Sequence, residues 1–318
     1  MDAQPVTPKR LAASVIAVPP LCRDQGLALD PAENRRLIRH LEQGGVRTLL
    51  YGGNANLYNI APSEYPALLD LLETEASADT LIIPSAGPFF GPMMDQAAIL
   101  RDRSFPAAMI LPALFPATQS GVQKAVRLFA ERAGIPVVLY LKEERYLSAA
   151  AAAELFADGI VSWIKYAVVR EDPAQDAYLE ELCDRVDPAH IVSGIGEQPA
   201  RVHTQKFRLI SFTSGCVCVA PGCSMDMLAA LRTGDIAAAE AIRTRFETLE
   251  QLRNAHGPIP VLHHAVAEAG IAAAGPLLPL LDVLSQDLVD IIRPVARRLL
   301  QEETRRAAIP AAGAAAHG

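Results

Sequence analysis

One lysine lies where a charged amine is unfavourable. Lys165 interrupts VSWIKYAVV, an otherwise apolar run at 161–169 that is typical of a parallel strand covered on both faces. Desolvation there would lower the pKa of the amine, and a neutral amine can attack a ketone to form an electron-withdrawing iminium. The alternative is a structural lysine that reaches solvent or pairs with a carboxylate.

A tyrosine near the end of another apolar run could move protons for the same chemistry. Tyr140 lies in PVVLYL at 136–141. A phenol beside an iminium can pass a proton to or from the substrate, which both aldol cleavage and loss of water require. Because tyrosine is also a favoured strand residue, its catalytic interpretation depends on Lys165.

Two further features could bind acid groups. The turn GGNAN at 52–56 follows an apolar run, and its successive backbone N–H groups can hold a carboxylate without a formal positive charge. Arg145 comes shortly after Tyr140, and its planar guanidinium matches a second carboxylate. Both features also occur without function, since Gly-Gly-Asn is a common turn and Arg145 follows Glu143 and Glu144 in a charged segment.

Eight short apolar runs alternate with segments that carry apolar residues at helical spacing and often end in glycine. This alternation predicts an α/β fold, a (β/α)8 TIM barrel whose active site lies at the C-terminal ends of its strands. Neither a GxGxxG motif nor a P-loop supports a doubly wound sheet. The runs are SVIAV at 14–18, TLLYG at 48–52, TLIIPS at 80–85, AAMILP at 107–112, PVVLYL at 136–141, VSWIKYAVV at 161–169, HIVSG at 190–194 and GCVCVA at 215–220.

The patterns also divide the chain. Helical patterns at 224–256, 260–271 and 276–305 predict an extension packed on the barrel, not a second catalytic domain. Both ends are small or polar in composition and are expected to be mobile. The predicted parts are a mobile N-terminus at 1–9, the barrel at 10–223, a C-terminal helical region at 224–305 and a mobile tail at 306–318.

Composition excludes several classes of function. The formal charge of -7 disfavours binding to nucleic acid or to anionic membranes. The sequence has no apolar run of about 18 residues and no signal-peptide pattern, so we expect a cytoplasmic chain. Five cysteines are too few for a disulfide framework, and Cys216, Cys218 and Cys223 without a fourth ligand favour buried thiols over a zinc site. No metal and no cofactor is expected.

These segments, taken in order, resemble the dihydrodipicolinate synthase and N-acetylneuraminate lyase family over nearly the whole chain. IPVVLYLKEERYL is similar to the family's proline-strand-tyrosine stretch, and SWIKYA is similar to the strand that carries its Schiff-base lysine. YGGNANLYNIAPSEY is similar to the Gly-Thr-Thr-Gly-Glu turn, with Glu64 on a glutamate that follows it, and SGCVCVAP is similar to the eighth-strand Gly-Val-Ile-Ser segment.

The resemblance implies a role for each matching residue. Lys165 would form a Schiff base with a 2-oxo acid, and Tyr140 would exchange the proton. Gly53 and Asn54 would hold the substrate carboxylate with their backbone amides. Arg145 would meet the far end of the substrate, and Val217 would direct its main-chain carbonyl at the substrate. The family also implies a homotetramer or a homodimer.

Three departures from the family pattern narrow the function. Gly53 lacks the hydroxyl that passes protons to the tyrosine, and Leu114 stands where the family has a tyrosine from a neighbouring subunit. Leu-Lys-Glu-Glu at 141–144 replaces Asn-Val-Pro-Gly. The first two changes break the Tyr-Thr-Tyr proton relay, and together the three departures argue against a role in lysine biosynthesis.

The resulting prediction is a Schiff-base-forming class I lyase that cleaves or condenses a 2-oxo acid by aldol chemistry. One alternative is a dehydratase of a 2-keto-3-deoxy sugar acid, which uses the same iminium. An alternative from another class is a barrel that has lost catalysis and only binds a keto acid.

Overall fold

Eight parallel strands form one sheet in the computed structural model, which describes residues 1–308. Their order is β7-β6-β5-β4-β3-β2-β1-β8, and a bridge between Ser193 and Phe212 joins the two ends into a barrel. The strands are β1 Ile16–Ala17, β2 Thr48–Tyr51, β3 Leu81–Ala86, β4 Ala108–Ile110, β5 Val137–Leu141, β6 Val161–Tyr166, β7 Ile191–Ser193 and β8 Thr213–Ser214.

Helices alternate with these strands. Within residues 1–308 the α-helices are α1 Pro8–Ala13, α2 Pro31–Gln43, α3 Tyr65–Glu75, α4 Phe90–Leu100, α5 Gln119–Ala133, α6 Ala149–Ala157, α7 Ala177–Arg185, α8 Glu197–Phe207, α9 Pro221–Thr233, α10 Ile236–His256, α11 Pro258–Glu268 and α12 Gln286–Ala308. Each helix from α2 to α9 follows one strand. The predicted (β/α)8 barrel with a C-terminal helical extension is therefore confirmed.

Local side chains explain where several helices start and stop. Asp30, Thr118 and Ser148 each accept a backbone N–H from the first turn of α2, α5 and α6 respectively. Gly134 ends α5 in the left-handed conformation at φ +69°, which a residue without a Cβ adopts at little cost.

The eighth strand differs from its prediction. Thr213–Ser214 pairs with β1, whereas the predicted strand at 215–220 contains a 3-10 turn at Cys216–Cys218. The Ser214 hydroxyl accepts the N–H of Val217 at 3.0 Å, so local bonds replace the ladder there. The predicted strand at 215–220 is wrong because its apolar residues are buried by packing and not by strand pairing.

Buried glutamates join the helical extension to the barrel. Glu250 of α10 accepts the N–H groups of Glu197 and Gln198 at 2.9 and 3.3 Å, in the first turn of α8. Glu303 of α12 accepts two N–H groups in the first turn of α9 at 3.0 and 2.9 Å. A carboxylate at a helix N-terminus satisfies free donors and complements the helix dipole, so these contacts fix α10 and α12 against the barrel.

Several predicted boundaries fall inside elements. The stretch 224–256 contains the end of α9, Gly234 at φ +76° and all of α10. Residues 306–308, expected in the tail, belong to α12, and 309–318 lie outside the described residues. In the segment 1–9, Asp2 bridges to Leu81 and α1 begins at Pro8. The domain limits stay predictions.

Two properties of residues 1–308 bear on other classes of function. No helix in that range combines the length and the apolar composition that crossing a bilayer needs. The same range contains no group of three or more His, Cys, Asp or Glu side chains that could hold a metal ion. Cys216, Cys218 and Cys223 are buried free thiols.

Replacing Glu303 with alanine is expected to lower the free energy of unfolding by about 1–2 kcal/mol, because two buried N–H groups lose their charged acceptor. Urea denaturation measures the change. Gln301→Ala, at an exposed site on the same helix, is the control. Equal losses in both variants would show that α12 is not anchored through this carboxylate.

Candidate active site

A cavity of about 710 Å³ opens at the C-terminal ends of the strands. Its lining includes Asn54 from the turn after β2, Tyr140 from β5, Lys165 from β6 and Gly215 after β8. Helix α10 also contributes, through Arg253. This is the position at which parallel barrels place their active sites, so the cavity is the candidate active site.

Lys165 and Tyr140 lie side by side in this cavity. They are partners in the register between β5 and β6, so the pleat directs both side chains to the same face. The Lys165 Nζ lies 4.4 Å from the centre of the Tyr140 ring. An amine and a phenol that are both needed for iminium chemistry are thus brought together.

The surroundings favour a neutral amine. Burial, together with the positive charges of Lys142 and Arg253, lowers the pKa of Lys165 from 10.5 to about 7. Burial also raises the pKa of Tyr140 to about 12, which keeps the phenol protonated and able to donate near neutral pH. Lys165 is only 5% exposed. The site therefore holds a nucleophile and a proton donor at neutral pH.

The turn after β2 offers two free backbone donors. Within the described chain, the N–H groups of Gly53 and Asn54 donate to no protein acceptor. The Asn54 side chain donates to the carbonyl of Val18 at 3.0 Å, which fixes the turn to the end of β1. The two predicted residues thus present donors suited to an anion, and Asn54 lines the cavity.

Arg145 does not reach the cavity. Its side chain is 89% exposed and lies 3.7 Å from Glu143. The N–H of Tyr146 donates to the carbonyl of Glu143 at 3.1 Å, and this turn, anchored by the buried Tyr146 ring, leaves Arg145 facing solvent. The predicted contact between Arg145 and the far end of a substrate is not present in this arrangement.

The predicted role of the Val217 main-chain carbonyl stays a prediction. Val217 lies in the 3-10 turn after β8 and is fully buried, whereas Gly215 lines the cavity. A Cβ at Gly215 would lie 2.8 Å from the Asn54 Nδ2 and 2.2 Å from a Leu262 methyl. Gly215 therefore lets the end of β8 pack closely against the turn after β2.

Sequence reasoning missed Arg253 and Asn254. Both lie near the end of α10, in the region expected to be an extension without a catalytic part, and both line the cavity. One signal could have found Arg253. Phe246, Leu249, Glu250 and Arg253 follow the i, i+3, i+4, i+7 spacing of a buried helix face, so two charged residues occupy an apolar stripe.

Glu250 and Glu197 form a buried acidic pair close to the part of α10 that lines the cavity. Burial is the main cause that raises the pKa of each carboxyl. The hydroxyls of Ser214 and Ser224 donate to Glu197 at 2.8 and 2.7 Å. The pair therefore carries less negative charge at neutral pH than two exposed glutamates would.

Comparisons with known proteins give matches among solved structures. No family model matches the sequence, and no curated protein matches it. Solved structures do match. Dihydrodipicolinate synthase from Bacillus clausii has a TM-score of 0.78 at 19% identity, over 93% of this chain and 99% of that one. The TM-score establishes a shared fold, and at this low identity the match shows the fold alone.

Two further matches were solved with pyruvate. Dihydrodipicolinate synthase from Acinetobacter baumannii, in a chloride-inhibited form complexed with pyruvate, has a TM-score of 0.80 at 16% identity, over 91% of this chain and 99% of that one. YagE, an E. coli prophage protein of the dihydrodipicolinic acid synthase family in complex with pyruvate, has a TM-score of 0.76 at 17% identity, over 90% and 98%.

Replacing Lys165 with methionine is expected to stabilise the protein, because the buried amine is desolvated. The folded pKa of about 7 lies below the unfolded value of 10.5. Between these two pH values the native state therefore binds fewer protons than the unfolded state. The loss of folding stability caused by burying the amine is complete below pH 7 and vanishes as pH rises towards 10.5. The gain should be roughly 2–4 kcal/mol at about pH 6 and smaller at about pH 9.

Urea denaturation of both proteins at the two pH values measures this gain. Lys9→Met, at an exposed lysine, serves as the control and should shift stability by less than about 0.5 kcal/mol. A Lys165→Met variant that is less stable than the parent at both pH values would contradict the low amine pKa.

Proposed function

We propose that this chain is a divergent member of the dihydrodipicolinate synthase and N-acetylneuraminate lyase family, and that it is a lyase which forms a Schiff base between Lys165 and a 2-oxo acid. The observation that carries the proposal is the buried amine with a pKa of about 7, beside a protonated phenol at the active-site end of a barrel. Structures of similar fold that contain pyruvate support it.

The first step joins enzyme and substrate. The neutral amine of Lys165 attacks the keto carbon and forms a carbinolamine. One proton of the nitrogen passes to the oxygen, which takes up a second proton from Tyr140 and leaves as water, and this gives the iminium and a Tyr140 phenolate. The free N–H groups of Gly53 and Asn54 bind the carboxylate next to the ketone and orient it.

The second step breaks the carbon–carbon bond. The Tyr140 phenolate accepts the proton of the hydroxyl two carbons from the iminium. The bond between the carbon that carries this hydroxyl and the carbon next to the iminium then breaks, and its electron pair moves to the iminium nitrogen, which gives an enamine and releases an aldehyde. Protonation of the enamine and addition of water then free a short 2-oxo acid and regenerate the amine.

Loss of water is the second candidate within the lyases. It uses the same iminium, and the electron pair released by removing a proton beside it expels a hydroxyl one carbon further along. Product analysis separates the two, because an aldolase releases a short keto acid whereas a dehydratase keeps the carbon chain whole.

Borohydride trapping tests the Schiff base. Incubation with pyruvate and longer 2-oxo acids, followed by reduction, is expected to add an adduct to Lys165 that intact mass and peptide mapping detect. Lys165→Met should lose the adduct and Lys9→Met should keep it. If no acid labels Lys165 while a known dihydrodipicolinate synthase labels under the same conditions, the barrel that only binds a keto acid replaces this proposal.

The pH dependence and Tyr140 provide a second test. Because the amine must be neutral, the trapping rate should rise as pH increases through about 7 and then level off. Tyr140→Phe should still be trapped but should turn over about a hundred times more slowly. A trapping rate that is still rising steeply near pH 10 would contradict the assigned nucleophile.

We also propose that the chain forms a homo-oligomer. Phe89, Phe90 and Phe115 line an apolar cavity beside α4 and α5, yet they are 56%, 51% and 86% exposed. Leu114 is 46% exposed next to them. A patch of this kind commonly marks a protein interface, and a second copy of the chain is the occupant that the family resemblance implies.

Light scattering after gel filtration is expected to give a multiple of the 34.0 kDa chain mass. Phe115→Asp should shift the population towards smaller species, because it buries a charge in the interface. Leu280→Asp changes another exposed apolar residue and should leave the mass unaltered. A monomeric parent would exclude the oligomer.

A further inference from the structure

Arg253 is a nearly buried cation that lines the Lys165 cavity. Its side chain is only 9% exposed. The Nη2 donates to the carbonyl of Ile195 at 2.7 Å and to the Asn254 side chain at 3.1 Å. Within residues 1–308, the Nη1 has no hydrogen-bond acceptor. A buried guanidinium with a free donor at a cavity wall is suited to an anionic ligand.

The neighbouring carboxylate does not neutralise this cation well. Glu250 lies 3.9 Å from the Arg253 Nη2, beyond hydrogen-bond distance, and its Oε1 already accepts two backbone N–H groups of α8. Burial raises the pKa of Glu250, which further weakens its negative charge. Part of the Arg253 charge is therefore left for a ligand.

The other arginines of the cavity wall are already paired, and Lys142, which also lines the cavity, is exposed to solvent. Arg170 donates to Asp176 at 2.8 Å, and Arg243 lies 2.8 Å from Glu240. Arg253 thus differs from them in lacking a close acidic partner. Since the free amides of the turn after β2 suit the carboxylate beside the ketone, Arg253 marks a separate anion position in the same cavity.

We propose that the cavity accepts a 2-oxo acid with a second carboxylate, and that the Arg253 Nη1 binds this second group. The inference rests on the proposed Schiff-base function and names its substrate class. It moves the role that the sequence predicts for Arg145 to a residue of the helical extension.

The arginine is positioned for this role by its neighbours. Asn254 accepts from the Arg253 Nε at 3.3 Å and donates to Gln198 of α8 at 3.0 Å. A Cβ at Gly196 would lie 2.9 Å from the Nη1, so the absence of a side chain there lets the guanidinium approach the loop after β7. Asn254 is therefore a positioning residue, since it acts through Arg253.

Matched pairs of acids test the inference. The five-carbon pair is 2-oxoglutarate and 2-oxopentanoate, and the six-carbon pair is 2-oxoadipate and 2-oxohexanoate. In each pair a terminal carboxylate replaces a methyl group. Borohydride trapping gives the concentration at which half of Lys165 is labelled, and the diacid should need about ten times less than its partner for at least one pair.

Variants assign the preference to a residue. The preference is the ratio of the half-labelling concentration of the monoacid to that of the diacid. Arg253→Gln should reduce this ratio to about one, and Arg253→Lys should keep part of the preference because the charge remains. Arg245→Gln removes a charge from the same helix outside the cavity and should preserve the ratio. Using a ratio cancels any effect that loss of the Arg253 charge has on the reactivity of Lys165.

The outcomes separate this inference from the Schiff-base proposal. If pyruvate labels Lys165 but the ratio is near one, or if Arg145→Gln abolishes it instead of Arg253→Gln, the inference is overturned and the Schiff base stands. Calorimetric titration of the same pairs into Lys165→Met measures the preference without covalent chemistry. That titration decides the inference even if no acid labels the wild-type protein.

Discussion

The candidate active site depends on the burial of one amine without a counter-ion. Lys165 is almost completely desolvated, and the two charges that shift its pKa, Lys142 and Arg253, are both positive. An acidic partner would stabilise the ammonium form and remove its nucleophilicity. The barrel instead pays in stability for a neutral amine, and its rigid strands hold that amine beside the Tyr140 ring.

The helical extension takes part in the active site through capping contacts. Glu250 caps α8 and thereby fixes the end of α10 against the loop after β7, where Arg253 reaches the cavity. The same carboxylate lies too far from Arg253 to form a hydrogen bond. One glutamate therefore positions the helix while leaving the arginine charge largely available. In a chain of net charge -7, this local positive wall is what would attract an acid.

Two of the departures from the family pattern lie at the turn after β2 and beside the apolar cavity. The ring of Tyr58 packs at the turn after β2, and a Cβ at Gly53 would lie 3.6 Å from it. Leu114 is partly exposed near the apolar cavity and has no hydroxyl to contribute. In the proposed mechanism, Tyr140 therefore exchanges protons directly with the substrate. Such an arrangement fits cleavage of a substrate that carries its own hydroxyl better than a relay across subunits.

The sequence by itself determined the barrel and predicted Lys165 and Tyr140 as its candidate catalytic pair. Alternation of apolar runs with helical segments is a local pattern that does not depend on the details of packing. Lys165 and Tyr140 lie in two of these runs, and the barrel topology fixes the register between them. Tertiary structure alone decided which arginine meets the cavity. Arg145 and Arg253 are equally plausible as residue types, but a turn anchored by Tyr146 directs the first to solvent, and the cap on α8 brings the second inward. Contacts between residues distant in sequence leave no local pattern, because they depend on how complete elements pack together.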